Sequence, residues 1–299
     1  MADEVWTVAS TLSWTQGYLD RKGVDNPRGS AQWLVGAATG MTRLELYTNY
    51  DKPLTKDELA RLREMIRRRA AGEPLQYISG KAPFRTIEVR VEPGVLIPRP
   101  ETEVLVGEAL AFLPRDEERL VVDLCCGSGC IACAVAVERP QVQVAACDID
   151  PGAVALTRRN AAELGLDDRV KAYEGDLFAA LPEELKGFVD VIVTNPPYVP
   201  SAVCDTLVSE VRDFEPRLAL DGGEDGLDLF RAILAASGAW LAPDGVIAAE
   251  LHETCLEEVR ASLKRPGSAR PASLKTWRAS PGCSSPVGSM QRKGSEPWN

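Results

Sequence analysis

From residue 120 to residue 251, apolar strand-like runs alternate with helix-like segments, and this rhythm limits the fold more than any other feature of the chain. The spacing predicts strands at 120–124, 142–147, 170–173, 189–194 and 246–251, with helices at 130–137, 153–164 and 227–241. Such alternation builds a mostly parallel α/β sheet, Rossmann-like, with helices on both faces. Ligands of these sheets bind outside the carboxyl ends of the strands, near the point where strand order reverses. The residues that follow each strand are therefore the candidates for chemistry.

The flanks have a different texture. Helical periodicity covers 5–19, 31–38 and 56–70, the last introduced by Thr55 as a cap. Residues 86–91 alternate as a half-buried strand before a Pro93-Gly94 turn. The expected organisation is a small helical domain at 1–75, a strand-rich connector at 76–100, the sheet domain at 101–264 and a tail at 265–299. In that tail 16 of 35 residues are Ser, Pro or Gly, and it is expected to be disordered.

Charge and cysteine usage exclude several classes. The net charge is −10, and from Lys264 onward seven bases face one acid, leaving −16 on the body. An acidic body disfavours direct binding to nucleic acid, whose affinity comes from bases that displace counterions. The densest basic stretch, Arg61, Arg63, Arg67, Arg68 and Arg69, shares a helical segment with Leu59, Leu62, Met65 and Ile66 and reads as a solvated face. Three of the eight cysteines, Cys130, Cys133 and Cys147, sit in apolar runs, and Cys125-Cys126 share a tight turn, which favours reduced thiols. With one histidine, His252, and no second cysteine pair at ligand distance, no metal site is expected. No window reaches the ~18 apolar residues of a membrane span, and residues 1–10 carry acids where a signal peptide carries bases. A soluble, cytoplasmic protein without membrane partners is expected.

The first strand runs into Cys125-Cys126-Gly127-Ser128-Gly129 and then a helix, a glycine turn where backbone can approach a ligand closely. Dinucleotide and methyl-donor sites share this pattern. The next strand ends at Cys147-Asp148-Ile149-Asp150, about twenty residues past the turn, where a carboxylate can accept both hydrogen bonds of a ribose diol. Asp148 is the candidate ribose ligand, whereas Asp150, just before Pro151, suits a helix cap. The third strand ends at Gly175-Asp176-Leu177-Phe178, where an acid can reach an adenine amino group and an apolar neighbour can cover the ring; a core-facing Phe178 is equally compatible. Ala132 replaces the third glycine of a Gly-x-Gly-x-x-Gly pattern, which disfavours a nicotinamide site.

The fourth strand delivers Asn195-Pro196-Pro197-Tyr198 beside that turn. The nitrogen of an amide or of an adenine amino group is a poor nucleophile because its lone pair is delocalised. Two acceptors aimed at its two hydrogens hold it and shift density onto nitrogen. The Asn195 side-chain carbonyl supplies one and the Pro196 backbone carbonyl the other. The prolines fix the backbone in advance, and Tyr198 offers a flat face for a planar group. The loop therefore suits methyl transfer from a sulfonium to a planar nitrogen.

With these residues the chain resembles the release-factor glutamine methyltransferase family. The resemblance extends to Arg67-Arg68-Arg69-Ala70-Ala71-Gly72-Glu73-Pro74-Leu75-Gln76-Tyr77-Ile78 and to Leu96-Ile97-Pro98-Arg99-Pro100-Glu101-Thr102-Glu103, and covers roughly residues 5 to 260. It implies a class I S-adenosyl-L-methionine-dependent methyltransferase sheet and a helical domain that recruits class 1 peptide chain release factors, methylated at the glutamine of Gly-Gly-Gln. By position it implies cofactor contacts from Cys125, Cys126, Gly127, Ser128, Gly129, Asp148, Leu177 and Asn195, and glutamine contacts from Asn195, Pro196, Pro197 and Tyr198. The chain departs from the family at Cys125, usually a smaller residue, and at Leu177, an aromatic in some members. The family also ends its sheet with two strands after a helix at 253–263. The tail offers no convincing candidates for them, as a reading-frame change or divergent terminus would produce. Competing readings are a ribosomal-protein glutamine as substrate, an adenine amino group in nucleic acid, and an inactive cofactor-binding homologue.

Overall fold

The structure, a computed structural model, describes residues 5–252, Cys255 and 274–279. Five helices open it: α1 Val8–Arg21, α2 Pro27–Thr39, α3 Arg43–Thr48, α4 Lys56–Ala70 and α5 Leu75–Ser79. Thr7, Thr42 and Thr55 form capping boxes with Ser10, Glu45 and Glu58, so three helix starts have their free N–H groups satisfied locally. Each cap contributes about 1 kcal/mol. The apolar stripes meet in a cluster containing Val8, Leu19, Leu34, Leu46, Leu62 and Ile66.

In the basic stretch of α4, Arg61, Arg63 and Arg67 are exposed, as a solvated face requires, and Arg69 is the exception. Arg61 donates to the Ala38 carbonyl at 2.9 Å, and Arg67 and Arg68 pair with Glu64 and Glu73. Arg69 is buried and pairs with Glu210 at 3.0 Å. Helical spacing explains this, because Arg69 follows Leu62 and Ile66 on the buried side of the helix.

A hairpin of β1 Lys81–Phe84 and β2 Ile87–Arg90 and the helix α6 Pro100–Leu110 lead into the sheet. Its elements are β3 Arg119–Leu124, α7 Cys130–Glu138, β4 Val142–Asp148, α8 Pro151–Glu163, β5 Val170–Glu174, β6 Val189–Thr194, α11 Asp228–Ser237, β7 Leu241–His252 and β8 Leu274–Ala279. The short helices α9 Ser201–Cys204 and α10 Ser209–Arg212 lie between β6 and α11. The strands run in the order β5-β4-β3-β6-β7-β8, and every pairing is parallel. Strands covered on both faces read as continuous apolar runs, and Val121, Val122, Leu124, Val191, Ile192 and Val193 are all fully buried.

Two expectations change. The last expected strand begins at 241 instead of 246: Leu241 pairs with Val189, the register then shifts, and pairing resumes at Val246 opposite Val191. The Pro243-Asp244-Gly245 sequence resembles a turn and hides this irregular start. The tail is not wholly without regular structure, because Leu274–Ala279 adds a sixth parallel strand beside β7, Ile247 opposite Leu274. The helix expected at 253–263 lies outside the described residues except for Cys255.

Candidate active site

Strand order reverses between β3, which leads to β4 and β5, and β6, which leads to β7 and β8. Leu124 and Thr194 are paired in register, so Cys125 and Asn195 leave the sheet side by side. The Thr194 hydroxyl donates to the Leu124 carbonyl at 2.9 Å and ties the two strand ends together.

The turn after β3 takes φ of 60° at Cys125, 55° at Gly127 and 73° at Gly129. Gly129 caps α7, and a Cβ there would stand 2.6 Å from Thr157 Cγ2, so packing as well as backbone geometry requires glycine. Helix α8 braces the turn from behind. Thr157 donates to the Gly127 carbonyl at 3.0 Å, and Asn160 donates to the Ser128 carbonyl at 2.8 Å. Asn160 also accepts from the Arg90 N–H and donates to the Arg90 carbonyl, which couples the hairpin to the turn.

A cavity of 440 Å³ opens at this switch point. Of the residues expected around the cofactor, Cys125, Cys126, Gly127, Ser128, Asp148, Leu177 and Asn195 line it, while Gly129 stands behind the turn. Asp148 accepts from the Gly127 N–H at 2.9 Å on one oxygen and from the Asp150 N–H at 3.0 Å on the other. Each oxygen keeps a second lone pair, so the carboxylate is aimed but not saturated. Burial raises the Asp148 pKa, and hydrogen bonds from backbone N–H groups, those of Asp150 and Gly127 foremost, oppose that shift. Asp150 caps α8, accepting from the Gly152 N–H at 2.7 Å.

Asp176 and Leu177 reach the cavity wall, but Phe178 turns into the core and stacks on Trp240 with ring centroids 5.3 Å apart. Cys125 and Leu177 both hold positive φ. An L side chain pays about 1–2 kcal/mol for this geometry, a cost that glycine alone escapes. The described cysteines are free thiols, and burial raises the Cys133 and Cys147 pKa values to about 12.

At the end of β6, Asn195 and Pro197 line the same cavity. Among the described residues, no hydrogen bond is made to Asn195 Oδ1 or to the Pro196 carbonyl, so both acceptors remain available. The Asn195 NH₂ donates to Thr102 Oγ1 at 3.2 Å, and Thr102 donates to Glu250 Oε2 at 2.8 Å. Tyr198 donates to Glu250 Oε1 at 3.1 Å, and its ring packs against the cluster of Leu227 and Phe230. Tyr198 is not among the residues lining the cavity; it braces the loop, a role its sequence context did not indicate.

Thr102 and Glu250 were missed as site residues, although one signal was visible. A lone acid in the apolar run 246–251 must find partners when its strand is buried. Glu250 is 1% exposed, and burial raises its pKa against the hydrogen bonds from Thr102 and Tyr198. Asp123 shows the same signal in β3. It accepts from the Ala132 N–H at 3.1 Å, and burial pushes its pKa up to about 8. Glu215, also buried, pairs with Arg99 at 2.5 Å and accepts from the Ile97 N–H at 3.4 Å, fixing the connector over the cavity.

Residues 102–212 match the family described as methyltransferase small domain, and residues 10–80 match the PrmC N-terminal domain. Parallel sheet, glycine turn and this match together make the chain a class I S-adenosylmethionine-dependent methyltransferase. The chain is 47% identical to the release factor glutamine methyltransferase of Geobacter sulfurreducens, over 88% of this chain and 90% of that protein. It is 38% identical to the Chlorobaculum tepidum protein of the same name, over 86% of this chain and 90% of that one. A solved ribosomal protein L11 methylase from Lactobacillus delbrueckii subsp. bulgaricus aligns at a TM-score of 0.40 and 20% identity, over 58% of this chain and 72% of that one. The chain belongs to the release factor glutamine methyltransferase family.

Proposed function

We propose that this protein transfers the methyl group of S-adenosylmethionine to the side-chain amide nitrogen of the Gly-Gly-Gln glutamine in class 1 peptide chain release factors. The observation that carries the reading is the unengaged acceptor Asn195 Oδ1 on the cavity wall, followed in the chain by the unengaged carbonyl of the buried Pro196, in a chain with these relatives.

The residues present fit the cofactor. Gly127 keeps the turn free of a side chain at positive φ, and Asp148 has lone pairs left for a ribose diol. Leu177 supplies an apolar wall for adenine. When bound, S-adenosylmethionine supplies an electrophilic methyl group. Asn195 Oδ1 and the Pro196 carbonyl accept the two N–H groups of the glutamine amide, which orients the nitrogen and raises its electron density. On transfer the nitrogen would gain the methyl carbon as the bond from that carbon to the cofactor sulfur breaks, its electron pair staying on sulfur, and would lose one proton to water, so no side-chain base is required.

Residues 1–75 recruit the release factor in this reading, and the sheet domain performs the transfer. A substrate in the translation apparatus supports a cytoplasmic location. No helix among the described residues is long and apolar enough to cross a membrane. Transfer of labelled methyl to a purified release factor, with Asn195→Ala as control, tests the proposal. Label on a ribosomal protein or a nucleic acid in place of the release factor contradicts it.

A further inference from the structure

We infer that Thr102 and Glu250 are positioning residues that decide which end of the Asn195 amide faces the acceptor nitrogen. The inference rests on the reading of the Asn195 loop given above. It follows from counting protons. The Thr102 hydroxyl has a single hydrogen, donated to Glu250 Oε2 at 2.8 Å. Toward Asn195, 3.2 Å away, that oxygen can therefore only accept. The Asn195 group facing it must be NH₂, which leaves Oδ1 on the other branch of the amide.

A reversed amide would place Oδ1 against Thr102. The hydroxyl would then have to leave Glu250 to meet it, and an oxygen of a carboxylate only 1% exposed would lose its partner. The other oxygen is already occupied by the Tyr198 hydroxyl at 3.1 Å. Reversal would also turn the Asn195 NH₂ toward an incoming amide that itself offers two N–H groups, donor against donor. The orientation thus determines whether the loop binds or repels the acceptor nitrogen. Three separate elements meet in this relay: Thr102 from the first turn of α6, Glu250 from β7 and Asn195 at the end of β6. Neither Thr102 nor Glu250 needs to touch the substrate, because both act through Asn195.

The test compares Thr102→Val, which keeps the shape and removes the hydroxyl, with Thr102→Ser, which keeps the hydroxyl. Methyl transfer to a release factor and cofactor affinity are measured for both, with Asn195→Ala alongside. Thr102→Val is expected to lower kcat by roughly tenfold or more, with KM for the protein substrate and cofactor Kd changed less than about twofold. Thr102→Ser is expected to stay within about threefold of the parent protein, because the acceptor-donor oxygen is retained. If the valine variant fails to fold, Thr102→Ala carries the same expectation. Unchanged kcat in Thr102→Val, or equal impairment by serine and valine, overturns the inference; if Asn195→Ala has lost activity in the same assay, the reading of the loop stands. Full activity in Asn195→Ala overturns the reading of the loop and the relay with it.

Discussion

A Cβ placed on Gly226 would stand 2.3 Å from the Tyr198 carbonyl oxygen, so the segment before α11 lies in backbone contact with the acceptor loop. Gly222 stands in the same relation to the Pro197 carbonyl, at 2.6 Å. The contact is fixed by hydrogen bonds from the Val199 N–H to the Leu220 carbonyl at 2.9 Å and from the Gly222 N–H to the Val199 carbonyl at 2.8 Å. Gly226 also holds φ of 81°. Gly226→Ala therefore has to displace the acceptor loop. We expect kcat to fall at least about tenfold, since small misplacements of reacting groups are costly. Calorimetry should find cofactor affinity nearly unchanged, whereas equal loss of both would show general unfolding.

In the proposed cofactor site Asp148 would act in two ways, by its remaining lone pairs and by holding the Gly127 N–H. Asp148→Ala removes both and is expected to weaken S-adenosylmethionine binding by roughly ten- to hundredfold, as for one or two charge-assisted hydrogen bonds. Titration calorimetry measures this directly. An unchanged Kd would remove Asp148 from the site.

Asp123 gives the fold a pH dependence that an amide would not. Burial pushes its folded pKa up to about 8, well above the ordinary carboxyl value, so the native state holds a proton that the unfolded chain releases. Its contribution is fully present below about pH 4 and is lost as pH rises through about 8. Asp123→Asn should gain on the parent protein by up to about 1.4 kcal/mol per pH unit across that window. Urea unfolding at pH 5 and pH 8 checks the slope, and parallel profiles for the two proteins would contradict it.

Where local chemistry determined structure, the sequence was readable. Thr55 before an apolar periodic run and Asp150 before Pro151 are caps for reasons contained within a few residues. The run 189–194 and the turn at Cys125 to Gly129 followed from periodicity and glycine. Pairing across the chain was not readable. Thr102 and Glu250 are 148 residues apart, and their meeting depends on how α6 packs beside β7. Phe178 was ambiguous because its partner Trp240 comes from another part of the chain. The strand Leu274–Ala279 was hidden by Ser, Pro and Gly neighbours, although β7 offers it a parallel edge. Arg69 belonged to a basic run by composition and to a buried face by helical phase, and phase prevailed.

The most direct test of the account is to incubate the protein with labelled S-adenosylmethionine and a class 1 release factor, then locate the methyl group by peptide mass spectrometry. One methyl is expected on the amide nitrogen of the Gly-Gly-Gln glutamine, with a rate in Asn195→Ala lower by about a hundredfold or more. A methyl group at any other position, or an undiminished rate in Asn195→Ala, would contradict it.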